Sequence, residues 1–398
     1  MTQTYQIQTY NQISEKGLVN FPASRYAVGA DVPAASADAI MLRSHKLTVA
    51  QVAPQVRAIG RAGAGTNNIP VGEMSKRGIP VFNAPGANAN AVKELVIAAL
   101  LLAARHLIPA IDYVASLPAD APDFEKRVED GKKQFSGYEL PGRTLGVIGL
   151  GAIGGLVADA AIKLGMNVLG FDPEITVDGA WRLPNGVRKA NSVDEVLRQA
   201  DLVTLHLPLV DATRGLISAP RLALMKPGAA LLNFAREPIV DSAAVVAALN
   251  GGALAYYLSD FPSPALAGVR GAVTLPHLGA STDEAEENCA VMVACQLRDF
   301  LELGTIRNAV NFPNVELAPG APYRLAIANA NVPNMVGQIS TALAQSGLNI
   351  CDMVNKSRGE LAYTLVDTDT PVTGQVLAAI QAIPGVLSVR SIVVQVAD

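Results

Sequence analysis

The chain has few charged and few aromatic residues, at 17% and 5% of its 398 positions. Its net charge is −4, whereas a nucleic-acid-binding surface needs a basic excess, so we expect no nucleic-acid partner. No uncharged apolar run reaches the roughly 18 residues of a membrane-spanning helix. The first residues, MTQTYQIQTYNQ, lack the basic and apolar regions of a secretory signal. These absences favour a cytoplasmic protein without a membrane partner.

Cysteine is also scarce, and the three thiols lack the close spacing of metal ligands. We therefore predict no metal site, and we expect Cys289, Cys295 and Cys351 to be reduced, buried side chains. Apolar residues, in contrast, make up half of the chain. A chain of this length and composition can bury large cores and should form two or three domains.

The clearest motif lies in the middle of the chain. A short apolar strand over Thr144–Ile148 is followed by GLGAIG at Gly149–Gly154, an apolar helix and a second strand that meets Asp172. In a dinucleotide site these glycines make a tight turn, admit the pyrophosphate and pack helix on strand, and the helix N-terminus faces the phosphates. An acid at the second strand takes the ribose hydroxyls and repels a 2′-phosphate, which favours NAD over NADP. The alternative is a tight turn that binds nothing. The predicted cofactor-binding residues here are Gly149, Gly151, Ala152, Ile153, Gly154 and Asp172.

Strands and helices alternate over most of the chain, which predicts an α/β fold with doubly wound parallel sheets. Polar or glycine-rich turns follow several predicted strands, where open parallel sheets bind their ligands. Gly63–Thr66 could offer backbone N–H groups to a carboxylate, and Arg43 with Lys46 could hold a second anion. The alternative is ordinary turn chemistry with solvated charge. Three later strand ends carry His206, Arg236 and His277, and Asp260 lies nearby in the sequence.

Five segments of the chain have a recognisable combined pattern: RAGAGTNN at 61–68, GLGAIG at 149–154, NFAREPIVD at 233–241, PHLGAST at 276–282 and NAVNFP at 308–313. Together they resemble the D-isomer-specific 2-hydroxyacid dehydrogenases, and the resemblance covers nearly the whole chain. It is strongest to the branch that oxidises 3-phospho-D-glycerate with NAD, the entry to serine biosynthesis, and that ends in an ACT domain. A glyoxylate or hydroxypyruvate reductase is the alternative within this class, and a non-catalytic NAD(H)-sensing module is the alternative outside it.

The resemblance implies roles for the polar residues at the strand ends. Arg236 would bind the substrate carboxylate and carbonyl oxygen, and His277 would be the general acid and base. Both roles suit the side chains, because a guanidinium grips a carboxylate through two parallel bonds and imidazole exchanges protons near neutrality. His206 and Pro208 would line the nicotinamide pocket. The further cofactor-binding candidates are Ala235, Asp260 and Gly279, and the substrate-binding candidates are Arg43, Ser44, Lys46, Arg61, Gly63, Ala64, Gly65 and Asn88, of which Arg43, Ser44 and Lys46 would hold the phosphate.

One catalytic residue of the family is missing. The Glu that pairs with the catalytic His falls on Ala265 when the sequence is counted without gaps from Arg236. Asp260 is our candidate for a replacement partner. Otherwise His277 works without a carboxylate, and its protonation during ketone reduction is less favourable.

The same resemblance suggests the domain organisation. We expect a flavodoxin-like substrate domain over 1–88 and 282–312, a Rossmann-type NAD domain over 89–281, and a βαββαβ ACT-like domain over 321–398. A helix is predicted over 89–107, and its apolar part over 92–104 exceeds what one core needs, so we expect a homodimer or homotetramer. In the ACT-like domain Asn331 and Asn349 match amino-acid-binding asparagines, and Asn329 replaces a binding His, with serine as the expected effector. The family Gly that admits close backbone approach is Asn334 here, and a dimerisation sheet without a ligand is the alternative.

Overall fold

The structure is a computed structural model that describes residues 4–394. The chain forms two compact units, one of Met1–Asn88 with Asp283–Asp398 and the other of Ala89–Thr282. The first three residues of the N-terminal stretch and the predicted end of the last strand at Val396 lie outside the described residues.

The elements alternate along most of the chain. The strands are β1 Tyr5–Tyr10, β2 Tyr26–Gly29, β3 Ala39–Leu42, β4 Ala58–Arg61, β5 Val81–Phe82, β6 Thr144–Ile148, β7 Asn167–Phe171, β8 Val187–Lys189, β9 Leu202–Leu205, β10 Ala229–Asn233, β11 Leu254–Ser259, β12 Ala272–Thr274, β13 Tyr323–Ala330, β14 Ile350–Arg358, β15 Leu361–Thr368 and β16 Val386–Val393. The helices are α1 Glu15–Leu18, α2 Val71–Lys76, α3 Ala89–Ala104, α4 Leu107–Ser116, α5 Phe124–Gly131, α6 Ala152–Lys163, α7 Val177–Trp181, α8 Val193–Gln199, α9 Ala219–Leu222, α10 Ser242–Asn250, α11 Asp283–Leu303, α12 Met335–Gln345 and α13 Gly374–Gln381.

The unit formed by Ala89–Thr282 contains a seven-stranded parallel sheet in the order β12-β11-β10-β9-β6-β7-β8. Its central strands are continuous apolar runs because both faces of the sheet are covered. After β6 the chain adds β7 and β8 on one side of it, and then adds β9 to β12 on the other side. The strand order therefore reverses between β6 and β9. Ligands of doubly wound sheets bind outside the carboxyl ends of the strands at such a point. This confirms the predicted α/β class.

The other unit begins with a five-stranded parallel sheet in the order β2-β1-β3-β4-β5. This is the flavodoxin-like order. Helix α11 returns from the second unit and packs against β4. The contact is close because β4 has a glycine: a Cβ on Gly60 would lie 2.4 Å from Cγ1 of Val293.

The C-terminal elements of the same unit form an antiparallel sheet in the order β14-β15-β13-β16, connected as βαββαβ. Alternate residues of β13 point to opposite faces. Leu325 and Ile327 pack with Ile339 of α12 under the two helices. Ala326 and Ala328 belong instead to the core that contains α11. The second face of this sheet is therefore covered by the same unit.

Several boundaries differ from the sequence predictions. The helix predicted over 89–107 ends at Ala104, because His106 adopts a left-handed conformation (φ 51°) and α4 continues after a 65° bend. The sequence pattern predicts a surface segment over 118–133, where the structure has α5, and a helix over 222–225, where the structure has α9 slightly earlier at Ala219–Leu222. No pattern in the sequence indicated α7 or β8. Cys289 is buried as expected, but Cys295 is half-buried and Cys351, on the edge strand β14, is exposed.

No single helix among the residues that the structure describes is long and apolar enough to cross a membrane. The bent pair α3 and α4 reaches that length and composition only when the two helices are taken together.

Candidate functional site

The glycine loop after β6 has the three properties that a dinucleotide cradle needs. Gly149 has φ 93°, and a Cβ on it would lie 2.4 Å from the carbonyl oxygen of His206. A Cβ on Gly154 would lie 1.9 Å from the carbonyl oxygen of Gly149. At Gly151, by contrast, a Cβ would meet no protein atom within 4 Å. Two glycines are thus required by the fold, and the third leaves open space at the start of α6.

The first turn of α6 and Asp172 complete this cradle. Gly151 is the N-cap of α6 and brings no side-chain cap, so the first N–H groups of the helix, from Ala152 and Ile153, lack an intrahelical acceptor. One oxygen of Asp172 accepts a 2.8 Å hydrogen bond from the Leu150 N–H, and the other accepts from the Glu174 N–H at 3.0 Å. Because each carboxylate oxygen can accept two hydrogen bonds, the side chain keeps acceptor capacity for a ribose. These residues fit a dinucleotide.

His206 lies at the end of β9, beside the glycine loop. Its backbone N–H donates to the Ile148 carbonyl at 2.8 Å, and its ring Nε2 lies 3.0 Å from Oγ1 of Thr204. Its Nδ1 is buried and has no partner within the described chain. Burial lowers the pKa of His206 to about 3, so the ring is neutral at physiological pH. Pro208 follows and is exposed.

Arg236 is exposed and follows β10 in an extended conformation. Its Nη1 donates a 2.6 Å hydrogen bond to the carbonyl of Ala235, which is buried. The buried side chain of Asn233 holds this turn: Nδ2 donates to the Arg236 carbonyl at 2.9 Å, and Oδ1 accepts from the Ala235 N–H at 3.2 Å. Asn233 belongs to the NFAREPIVD segment, but the sequence did not reveal this positioning role.

Asp260 follows β11 and is only 2% exposed. Its Oδ1 accepts from the Leu278 N–H at 2.6 Å, and its Oδ2 accepts from the Gly279 N–H at 2.7 Å. Both oxygens therefore bind the backbone that directly follows His277. This corrects the expectation that Asp260 is the side-chain partner of His277: it anchors the loop of the histidine instead.

His277 is exposed and has a left-handed backbone conformation, with φ 59°. Its imidazole packs on the ring of Phe261, with centroids 4.9 Å apart and planes inclined by 54°. No ion pair or hydrogen bond to the imidazole is found between residues 4 and 394. The family Glu position, Ala265, lies in a short 3-10 helix over Pro264–Leu266. No pattern in the sequence indicated the contact with Phe261.

The cationic candidates of the other unit have protein partners. The guanidinium of Arg43 forms an ion pair with Glu286 on α11, which offsets its charge. The Arg43 carbonyl accepts a 3.1 Å hydrogen bond from Nε of Arg61. Ser44 and Lys46 are exposed. Of the proposed phosphate ligands, only Lys46 is thus a cation without an ion pair in the described part of the chain.

The predicted backbone nest is smaller than expected. The N–H of Gly63 donates to the Arg61 carbonyl at 2.8 Å, and the residue is buried, so this amide is not free. Within the described residues, the amides of Ala64 and Gly65 donate to no protein acceptor. Asn88 is half-buried. The carboxylate nest predicted over 63–66 is therefore corrected to the amides that follow Gly63.

The three asparagines of the C-terminal sheet differ in accessibility. Asn329 is buried, and its Nδ2 donates to the Ala330 carbonyl at 2.8 Å, so it serves the interior of the sheet rather than an exposed ligand site. Asn331 is exposed and donates to the Gly359 carbonyl at 3.0 Å. Asn349 is exposed. Only the last two remain accessible to an effector.

The chain is similar to known dehydrogenases over most of its length. The family model described as "D-isomer specific 2-hydroxyacid dehydrogenase, NAD binding domain" matches residues 97–279. D-3-phosphoglycerate dehydrogenase of Methanocaldococcus jannaschii is 36% identical over 83% of this chain and 62% of its own length. The Escherichia coli protein of the same name is 32% identical over 86% of this chain and 83% of its own length.

Solved structures share the fold. The NAD⁺-bound 3-phosphoglycerate dehydrogenase of Entamoeba histolytica superposes with a TM-score of 0.61 at 24% identity, covering 79% of this chain and all of that one. The chain spans less than two thirds of the length of the Methanocaldococcus jannaschii relative.

Proposed function

The chain belongs to the D-isomer-specific 2-hydroxyacid dehydrogenase family, and we propose that it oxidises 3-phospho-D-glycerate to 3-phosphohydroxypyruvate with NAD, the first step of serine biosynthesis. The observation that carries this proposal is the match to a D-3-phosphoglycerate dehydrogenase over 83% of that protein's length. The positions of Arg236 after β10 and of His277 after β12, beyond the carboxyl ends of strands in one parallel sheet, support the same chemistry.

The NAD site is formed by the glycine loop and the start of α6. The open space at Gly151 leaves room for a pyrophosphate, and the free N–H groups of the helix face it. Asp172 would accept from the ribose hydroxyls, and its charge would exclude a 2′-phosphate. Bound NAD supplies the acceptor for the hydride of the substrate.

We assign binding of the substrate carboxylate to Arg236 and proton transfer to His277. Arg236 is exposed at the edge of the sheet, and its turn is fixed by Asn233, so its guanidinium can hold a carboxylate in one orientation. His277 would take the proton from the substrate hydroxyl as the alcohol becomes a ketone. His206 is kept neutral by burial and adds no charge that would compete for the carboxylate.

His277 performs this role without a carboxylate partner. Asp260 binds the two N–H groups that follow it, and Phe261 packs on its ring. These two contacts would orient the imidazole in place of the family Glu.

The test is the formation of NADH, followed at 340 nm with 3-phospho-D-glycerate, D-glycerate and NAD. We expect His277→Asn to lower kcat by about 10²–10⁴-fold while NADH binding is retained. His106→Asn is the matched control, because both histidines have a left-handed backbone that Asn tolerates. An unchanged kcat in His277→Asn would refute the assignment.

One observation favours a second candidate, a reductase of glyoxylate or hydroxypyruvate. The ion pair of Arg43 with Glu286 leaves less positive charge for a substrate phosphate. If Arg43 contacts the phosphate, Arg43→Gln raises KM for 3-phospho-D-glycerate far more than for D-glycerate. Equal effects on both substrates would favour the unphosphorylated candidate.

We further propose that the C-terminal sheet is an ACT-like regulatory domain with serine as its effector. The βαββαβ connection and the exposed amides of Asn331 and Asn349 support this role. Serine should inhibit the wild type, and Asn349→Ala should weaken that inhibition.

We also propose a cytoplasmic location, which agrees with three cysteines that form no disulfide.

A further inference from the structure

A cavity of about 220 Å³ lies between the C-terminal sheet and the loops of the five-stranded sheet, within one unit. It is lined by three arginines from distant parts of the chain: Arg57 before β4, Arg77 after α2 and Arg390 on β16. No carboxylate is among its lining residues. The cavity is therefore strongly cationic.

The three guanidiniums are only partly neutralised. Arg57 lies 3.5 Å from a carboxylate oxygen of Asp38, and both side chains are partly exposed. Arg77 donates only to the neutral carbonyls of Val52 and Ala53, at 2.8 and 2.6 Å. Because a guanidinium has five N–H donors, these bonds leave further donors for a ligand.

Arg390 is held at the end of α11. It donates to the carbonyls of Phe300 and Leu301, and its guanidinium lies 4.3 Å from the ring centroid of Phe300. Burial lowers its pKa, with the charge of Arg57 acting in the same direction. A desolvated cation without a carboxylate costs free energy that a bound anion would offset.

The hydroxyl of Tyr363 gives the second, independent sign of a missing ligand. Tyr363 lines the cavity and is 2% exposed. Its hydroxyl interacts with the guanidinium of Arg390, which can only donate, so the hydroxyl hydrogen has no acceptor within the described residues. Burial raises the pKa of Tyr363, although Arg390 opposes this shift. The group is therefore a neutral donor at physiological pH. Buried hydroxyls are nearly always paired, so this one needs an acceptor.

We propose that this cavity binds a small oxyanion of the phosphate type, with Arg57, Arg77 and Arg390 providing the charge and Tyr363 donating a hydrogen bond. An anion here contacts both the C-terminal sheet and the loop that carries Arg57. Its binding therefore stabilises the packing of that sheet within the unit. The proposal does not depend on the catalytic activity.

The test is a calorimetric titration of the full chain with inorganic phosphate, in which sodium chloride keeps the ionic strength constant. An Arg43→Gln background removes a contribution from the proposed substrate site. We expect saturable binding at one site that raises the melting temperature. Tyr363→Phe, which removes only the hydroxyl, and Arg57→Gln should each weaken binding about tenfold or more.

Lys76→Gln is the matched control, because Lys76 is the exposed neighbour of Arg77 and does not line the cavity. The Lys76→Gln variant should bind phosphate with the same affinity as the Arg43→Gln background. Tighter binding of glycerol 3-phosphate than of inorganic phosphate would identify a phosphomonoester as the ligand class, and equal or weaker binding would identify free phosphate. Absence of saturable binding, or equal affinities in Tyr363→Phe, Arg57→Gln and the background, would overturn the proposal.

Discussion

At the scale of single residues, the site depends on how His277 is held. The chain lacks the family carboxylate at position 265, and Asp260 does not replace it as a side-chain partner. Asp260 fixes the backbone after the histidine, while Phe261 contacts the ring. In the proposed mechanism, orientation of the imidazole is therefore separated from pairing with a carboxylate, and these two contacts would provide the orientation.

Restoring the carboxylate tests this separation. We expect Ala265→Glu to move the pH profile of kcat/KM for oxidation to higher pH, because a nearby carboxylate favours the imidazolium form. The profile should be measured against Ala267→Glu, which adds the same charge just outside the 3-10 helix. Identical profiles for the two variants would show that position 265 does not reach His277.

The buried ring of His206 predicts a pH dependence of stability. Its folded pKa of about 3 lies below the unfolded value of roughly 6.5, so below pH 6.5 the unfolded state binds a proton that the folded state does not. Stability should therefore fall as the pH is lowered from 7 to 5, by up to about 2 kcal/mol from this group. Urea unfolding at both values should show a smaller loss for His206→Gln. An equal loss in wild type and variant would contradict the burial argument.

The sequence indicated candidate polar residues at the strand ends, but not their contacts. His206, Arg236 and His277 were identified because each follows a strand of a parallel sheet. The direction of the Asp260 side chain was not predicted, because strand order does not determine which neighbouring loop a carboxylate faces. The role of Asn233 was missed for the same reason, since a buried amide at a strand end has no distinctive sequence pattern.

At the scale of secondary structure, the strand–turn–helix unit around the glycine loop is determined locally. The strand β6, the turn and the start of α6 were predicted within one residue of their observed bounds. The break between α3 and α4 was not predicted, because a left-handed residue is usually marked by glycine, and here it is His106.

Two alanine substitutions in the glycine loop should separate folding from binding. Gly154→Ala places a methyl group 1.9 Å from a backbone oxygen, so we expect a loss of stability of about 1–3 kcal/mol or more. Gly151→Ala meets no protein atom within 4 Å, so stability should be retained while NAD binding weakens. Urea unfolding and NADH fluorescence titration measure the two effects. Retained NAD affinity in Gly151→Ala would mean that the pyrophosphate lies elsewhere.

At the scale of the whole molecule, the surface of α4 suggests self-association. The sequence assigned the excess apolar surface to α3, but that helix buries most of its apolar side chains. Helix α4 has no buried residue, and Leu107, Ile111 and Val114 are 39%, 61% and 47% exposed. Leu101 of α3 is also 41% exposed, so the exposed apolar surface extends from the predicted helix into α4.

We expect this face to be a contact between copies of the chain. Ile111→Glu should shift the protein to a smaller species in size-exclusion chromatography with light scattering, because it places a charge in an apolar interface. Lys126→Gln on the neighbouring α5 is the control, because it changes the net charge by the same one unit. An unchanged mass in Ile111→Glu would exclude α4 from the interface.

The α/β class was predictable because alternating strands and helices with short turns leave few other arrangements. The cationic cavity was not, because positions 57, 77, 363 and 390 have no relation in the sequence and meet only through the packing of the C-terminal sheet.

The most direct measurement is the absorbance at 340 nm of the wild-type chain with NAD and 3-phospho-D-glycerate, alongside His277→Asn and its His106→Asn control. The account predicts NADH formation by the wild type and the control, and a fall of about 10²–10⁴-fold in kcat for His277→Asn. A wild-type chain that binds NADH but turns over no 2-hydroxy or 2-oxo acid would contradict it, and would identify a nucleotide-sensing protein instead.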